Sequence, residues 1–367
     1  MPALNTLPYQ VGCGKQFRYR YAPEERKGAM TSLDQSLPVE KASPAPPPFL
    51  ANRIRGAIWG QFVGDAACLG SHWIYDLEEL VRRYPEGLKG FEAPAAGHYH
   101  AGKVPGDQTH YGDAALLMLR SVAERGRFDA VDFGRRFVEV MASPGYTGYR
   151  DHATRDTLEK YRAFREAHPG EPVDFQQGAD DDQPAAATRL VPVVAAHLSD
   201  GHLPEMVTAA TRVCQNNDRA FAYMQCHALV LKGLFAGEGL SAAVADAAVR
   251  CEAAGGFGVE VGRKVREAIA ASAQPVVEAT LRFGQSCPLG GSFPAAVQGA
   301  LAHSADFAAA VLATVRAGGD NAGRAALVGA WLGASLGVEA IPAAWRDRLT
   351  ARDVIRRDVE IIVGRAA

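Results

Sequence analysis

Most of the side chains that could do chemistry near neutral pH fall in or beside one loop. Residues 87 to 112 are rich in glycine and proline and carry His98, His100, Asp107, Thr109, His110 and Tyr111. Unperturbed imidazole titrates near neutrality and can act as acid, base or metal ligand. A long loop inside a compact domain is often functional, although a solvated surface loop is an equal alternative. Three further groups stand at junctions: His72 and Tyr75 in the segment 71 to 75, Asp113 just after Gly112, and Asp320 just after Gly318 and Gly319. Each histidine taken singly reads as structural. Each aspartate at a helix start reads first as an N-cap. The sharper reading makes Asp320 a metal ligand at the bottom of a cleft.

Two glycine-patterned helices would have to position these groups. In the stretch 318 to 337, Leu327, Val328, Trp331, Leu332 and Leu336 recur at helical spacing, while Gly329, Gly333 and Gly337 recur every fourth residue on a neighbouring face. Glycine inside a helix costs about 1 kcal/mol relative to alanine, so the expected return is close approach of another helix to bare backbone. The stretch beginning at Asn52 repeats the pattern, with Ile54, Ile58 and Phe62 on one face and Gly56, Gly60 and Gly64 on another.

The remaining chain reads as helix after helix. Helices are expected over 76 to 84, 114 to 125 (opened by Gly112 and Asp113), 132 to 141, 154 to 168, 185 to 198, 204 to 214, 218 to 235, 240 to 254, 258 to 272 and 293 to 316. The run Asp180, Asp181, Asp182 reads as a solvated start to a helix near Gln183, complementing the helix dipole. Strand-like alternation is nearly absent, so the fold class expected is all-α. Residues 1 to 50 are polar and carry Pro44, Pro46, Pro47 and Pro48, which predicts a disordered tail before a domain spanning 51 to 367. Met30 reads as an alternative translation start; an intact mass that includes residues 1 to 29 excludes it.

Composition narrows the function. The chain has 367 residues and a net charge of -2, which gives no electrostatic footprint for nucleic acid or an anionic membrane. Six cysteines lie scattered without zinc-ligand spacing, and a reducing cytoplasm suits them. No apolar run is long enough to span a bilayer.

The segments GQFVGDAACLG (60 to 70), GDQTHYGDAALLML (106 to 119), AATRLVP (186 to 192), CQNNDRAFAYMQ (214 to 225) and GGDNAGRAALVGAWLGA (318 to 334) together resemble the ADP-ribosylglycohydrolase family. The resemblance covers roughly 52 to 340. HWIYD at 72 to 76, followed by YGD and GGDNAGR, is most similar to the branch that includes the jellyfish lens crystallins. It implies a large orthogonal helical bundle, a cleft holding two magnesium ions, and hydrolysis of the bond between ADP-ribose and an acceptor. Two hard cations would hold the ribose hydroxyls and polarise a water.

Carried over residue by residue, the family's metal motifs are depleted. Thr109 matches the threonine of one motif, but His110 and Tyr111 stand where two aspartates are expected. Asp320 matches the first aspartate of the late motif and Ala322 replaces the second, while His72 takes the place of a glutamate. Two dications with so little negative charge would repel each other, so at most one Mg2+ is expected, held by Thr109 and Asp320. The expected catalytic residues are His72, Asp113 and Asp320. Tyr75, Asp107, His110, Tyr111, Asn321 and Arg324 are expected to bind an ADP-ribose-like substrate, small or protein-linked, with phosphates resting on Arg324 or on the free N–H groups of the late helix. The first functional reading is a hydrolase of an N- or O-ribosyl bond with an altered metal site. A second is a catalytically inactive, ligand-binding or crystallin-like structural descendant. A third is an enzyme of another reaction type on a nucleoside-like or sugar substrate.

Overall fold

A computed structural model of the protein describes residues 47 to 366. The expected tail therefore lies outside the described residues as far as position 46. Among the described residues there are sixteen α-helices and no strand. They are α1 (Pro48–Ala67), α2 (Leu77–Arg83), α3 (His110–Arg125), α4 (Ala130–Met141), α5 (His152–Ala167), α6 (Val191–Ala196), α7 (Leu203–Arg212) and α8 (Asp218–Phe235). The second half holds α9 (Leu240–Ala253), α10 (Phe257–Ala270), α11 (Val276–Phe283), α12 (Leu289–Ala302), α13 (Phe307–Arg316), α14 (Asn321–Leu336), α15 (Ala343–Arg348) and α16 (Arg352–Val363). None of the helices is long and apolar enough to cross a membrane.

The centre of the bundle is α1 packed on α14. Every residue of α14 from Asn321 to Ala334 is buried, so this helix is surrounded by protein on all sides. Its glycines face those of α1 in antiparallel register. A methyl group on Gly56 would overlap the Gly333 carbonyl, one on Gly60 the Gly329 carbonyl, and one on Gly64 the Ala325 carbonyl. The close approach expected from the four-residue glycine spacing is thus made between these two helices. Trp331, on another side of α14, donates its indole N–H to His227 Nδ1 of α8 at 2.9 Å.

Several boundaries differ from the sequence expectation. The helix expected over 185 to 198 is a 3-10 turn at Ala187–Arg189 followed by the short α6, and the run 293 to 316 is broken between α12 and α13. The aspartates at 180 to 182 do not open a helix. Asp180 accepts from Asn217, Asp181 from the Gln183 amide, and Asp182 pairs with Arg219 at 2.8 Å. The helix expected to open at Gly112 and Asp113 begins earlier, at His110, because Thr109 supplies the cap by accepting from the Tyr111 amide at 3.2 Å. Helices α11, α15 and α16 had no counterpart in the sequence reading.

Candidate functional site

Three chain segments meet at the N-terminal end of α14. The first is the loop after α1. Trp73 donates its N–H to the Gly319 carbonyl at 2.7 Å, and Gly319 N–H donates to the Ile74 carbonyl at 2.8 Å, an isolated antiparallel bridge that pins His72 beside the α14 entry. Gly318 and Gly319 both adopt left-handed φ, 64° and 62°, and a side chain at Gly319 would overlap the Gln285 backbone. Only glycine fits this entry without strain. The second segment is the start of α3, where Asp65 of α1 accepts from the Thr109 N–H at 2.7 Å and from its hydroxyl at 2.5 Å. The third is the loop 97 to 100. His98 Nε2 donates to the His72 carbonyl at 2.7 Å, and its Nδ1 accepts from the His100 N–H at 3.1 Å, so one tautomer satisfies both contacts.

The result is a buried cluster of imidazoles facing a carboxylate. The rings of His72, His100 and His110 lie with centroids 5.4 to 5.8 Å apart. His72 Nε2 is 3.6 Å from Asp320 Oδ1, and both side chains are fully buried. His72 Nδ1 lies 3.4 Å from both Asn321 Oδ1 and the Ala322 N–H. Asn321 is fixed in turn by donating to Ser71 Oγ at 2.9 Å and to the Val315 carbonyl at 3.1 Å. Tyr111 donates its hydroxyl to Asp320 Oδ2 at 3.3 Å. His110 Nε2 is 3.4 Å from Asp151 Oδ2 at the start of α5.

Asp320 occupies the N-cap position of α14, but its side chain makes no capping hydrogen bond. The capping role first expected of it is not what the structure shows. Burial raises its carboxyl to about 6, against the pull of Arg324 and neighbouring donors. Burial likewise raises Asp65 to about 6, opposed by the Thr109 hydrogen bonds. Burial and the neighbouring imidazoles push His72 well down and His100 down to about 2, so both rings are neutral at pH 7. Asp151 is held below the usual carboxylate range by His110 and the Thr154 cap, which outweigh its burial.

The other sequence candidates lie elsewhere or are engaged. Asp113 pairs with Lys103 at 2.7 Å and accepts from the Tyr146 hydroxyl at 2.8 Å. It stands three residues after His110 on the same helix face, with its carboxylate committed to Lys103 and Tyr146. Asp107 accepts from the Val104 N–H at 2.9 Å and from Thr350 Oγ1 at 2.7 Å, tying the loop to the C-terminal segment. Arg324 is fully buried and spends its guanidinium on the carbonyls of Gln285 and Gly318. It supports the turn from beneath, so it does not face an incoming phosphate. Tyr75 is 44% exposed at the edge. Sequence reasoning missed Asp65, Trp73 and Asp151, and noticed His100 only as a loop residue. The three-histidine composition of that loop was the available signal.

Trp73 closes the cluster from outside. It adopts a left-handed φ of 60°, unfavourable for a side chain of this size, and its ring lies tilted by 31° with its centroid 4.2 Å from that of His72. Tyr99 and Tyr149 meet it edge-on at 5.1 and 4.9 Å. A shallow hollow of about 150 Å³ opens beside it, lined by Trp73, Glu79, Arg83, Gly97, His98 and Tyr99. A larger hollow of about 570 Å³ between α4 and α5 shares no residue with the cluster.

Magnesium demands a near-octahedral oxygen shell. The cluster offers two free carboxylate oxygens, Asp320 Oδ1 and Asp151 Oδ2, and otherwise ring nitrogens, and the Thr109 hydroxyl is committed to Asp65. The residues present do not fit Mg2+.

The chain is an all-helical bundle with a buried polar cluster at the entry of a glycine-packed central helix. The ADP-ribosylglycohydrolase family model matches residues 46–367, and the chain belongs to that family. It is similar to Crystallin J1B of Tripedalia cystophora, 26% identical over 327 residues, covering 85% of this chain and 96% of the relative. Crystallin J1A of the same animal is 25% identical over 317 residues, covering 81% and 92%. Among solved structures, one chain of an ADP-ribosylglycohydrolase-related protein complex superposes with a TM-score of 0.62 at 22% identity, covering 87% of this chain and 99% of that one. The orthogonal helical bundle is therefore the fold of this family.

Proposed function

We propose that the chain hydrolyses an N- or O-ribosyl glycosidic bond of an ADP-ribose-like substrate. The observation that carries this is Asp320. Its Oδ1 has no hydrogen-bond partner although it is fully buried, and Tyr111 fixes its other oxygen. A carboxyl raised to about 6 sits near the operating pH of a general base. Asp320 would take the proton of a water attacking the anomeric carbon as the glycosidic bond loosens. His72 Nε2 faces the same oxygen at 3.6 Å. Substrate would enter from the hollow beside Trp73, once the Trp73, Tyr99 and Tyr149 cover turns aside.

A second reading is supported by two observations. Two relatives that span most of the chain are named as crystallins, and the cluster is sealed by aromatic side chains. On this reading the scaffold is a structural or ligand-binding protein without turnover. A thermal-shift screen with ADP-ribose, nucleosides and sugars, each with and without magnesium, followed by product analysis of any ligand that binds, separates the two. Release of free ADP-ribose or ribose supports hydrolysis; binding without product over prolonged incubation supports the structural reading.

A further inference from the structure

We propose that His72, His100 and His110 form a binding site for one divalent transition-metal ion of the zinc class. One ligating atom from each histidine lies within 4.8 Å of the other two, and all three residues are buried. Around a tetrahedral ion with Zn–N distances of about 2.0–2.1 Å, ligand atoms stand about 3.4 Å apart. Small rotations of the rings are enough to close that gap.

Hydrogen-bond accounting supplies an independent reason. Both ring nitrogens of His100, both of His110, and Nε2 of His72 are buried without a partner, as are Asp320 Oδ1 and Asp151 Oδ2. Buried polar groups in native proteins are nearly always satisfied. Several lone pairs converging on one space, with carboxylate oxygens beside them, are what a cation resolves. In the tautomer whose Nδ1–H donates to Asn321 Oδ1, 3.4 Å away, the His72 Nε2 lone pair is left for the ion. Asp151 facing His110 Nε2 at 3.4 Å gives a carboxylate behind a ligating imidazole, an arrangement that fixes ring orientation and raises basicity.

Charge and softness select the metal. The two carboxylates, Asp320 and Asp151, balance a dication locally. Imidazole nitrogen suits zinc, copper, nickel and iron, whereas magnesium requires oxygen. The fourth position would open toward Asp320, so a bound water there would be aligned with the base already proposed. Metal binding itself does not depend on that activity.

The test uses the full chain stripped with chelator, then titrated calorimetrically with ZnCl2 and separately with MgCl2. One equivalent of zinc is expected to bind with micromolar or tighter affinity, to raise Tm as zinc is added, and to resist displacement by excess magnesium. The Co2+-loaded protein should show the intense visible bands of a tetrahedral nitrogen site. His100→Gln should weaken zinc binding at least a hundredfold, while His168→Gln, at an exposed helix end, should leave it unchanged. A folded wild-type protein that takes up well under one equivalent, as expected if water fills the space, overturns the proposal. So does zinc displaced by magnesium, a weak octahedral cobalt spectrum, or full affinity in His100→Gln. Should His100→Gln fail to fold by circular dichroism, the wild-type stoichiometry and cobalt spectrum still decide. Hydrolysis without zinc binding sinks this inference alone, and zinc binding without hydrolysis sinks the proposed activity alone.

Discussion

His72 and Asp320, 248 positions apart in the chain, face each other across 3.6 Å in the protein interior. The antiparallel bridge between Ile74 and Gly319 sets that distance by locking the loop after α1 to the entry of α14. The pair is thus held by backbone, and its side chains are left with atoms to spare.

Replacing Asp320 with Asn tests that spare capacity. Because the carboxylate does not cap α14 and an asparagine oxygen can still accept from Tyr111, the thermal midpoint should move by no more than a few degrees. Any ribosyl hydrolysis should fall by about 10²-fold or more, the range of a lost general base. Unchanged turnover in Asp320→Asn removes the proposed role.

Asp113 should behave oppositely. Its contacts are Lys103 and Tyr146, so Asp113→Asn should cost about 1 kcal/mol of stability through the weakened partly buried pair. Turnover should stay within about twofold of the parent. A collapse of kcat with intact stability would return Asp113 to the chemistry.

The glycine seam predicts a reversed helix-propensity effect. Alanine for glycine in a helix interior ordinarily gains about 1 kcal/mol. At Gly60 the added methyl meets the Gly329 carbonyl, so Gly60→Ala should instead lose about 3 kcal/mol or more, at the upper end of overpacking costs. Gly201→Ala, where nothing lies within 4 Å, should change stability by less than about 0.5 kcal/mol. Urea denaturation of the two variants measures the contrast.

Buried neutral histidines make the fold sensitive to acid. Burial lowers His227 to about 3, while in the unfolded chain it titrates at about 6.5. The native form therefore binds fewer protons between those values. Stability is fully present above pH 6.5 and falls as pH drops toward 3, by about 1.4 kcal/mol per unit from this residue. His227→Gln can still accept from Trp331 and should lose distinctly less stability between pH 7.5 and 5 than the parent. Equal pH slopes for the two proteins would show that His227 does not carry this dependence.

Helical periodicity and glycine spacing were enough to determine the all-α class and to mark α1 and α14 as tightly packed. Those features are local or repeat at fixed spacing, so they survive in one dimension. The resemblance to the family's motifs carried the expectation of a depleted set of oxygen ligands. What each remaining polar group faces was decided only by the tertiary structure. It committed Asp113 to Lys103 and Tyr146, spent Arg324 on backbone carbonyls, committed Thr109 to Asp65, and brought His100 and Asp151 into the cluster. Partners in a buried site are chosen by how distant segments dock, and residue type and spacing carry no record of that choice.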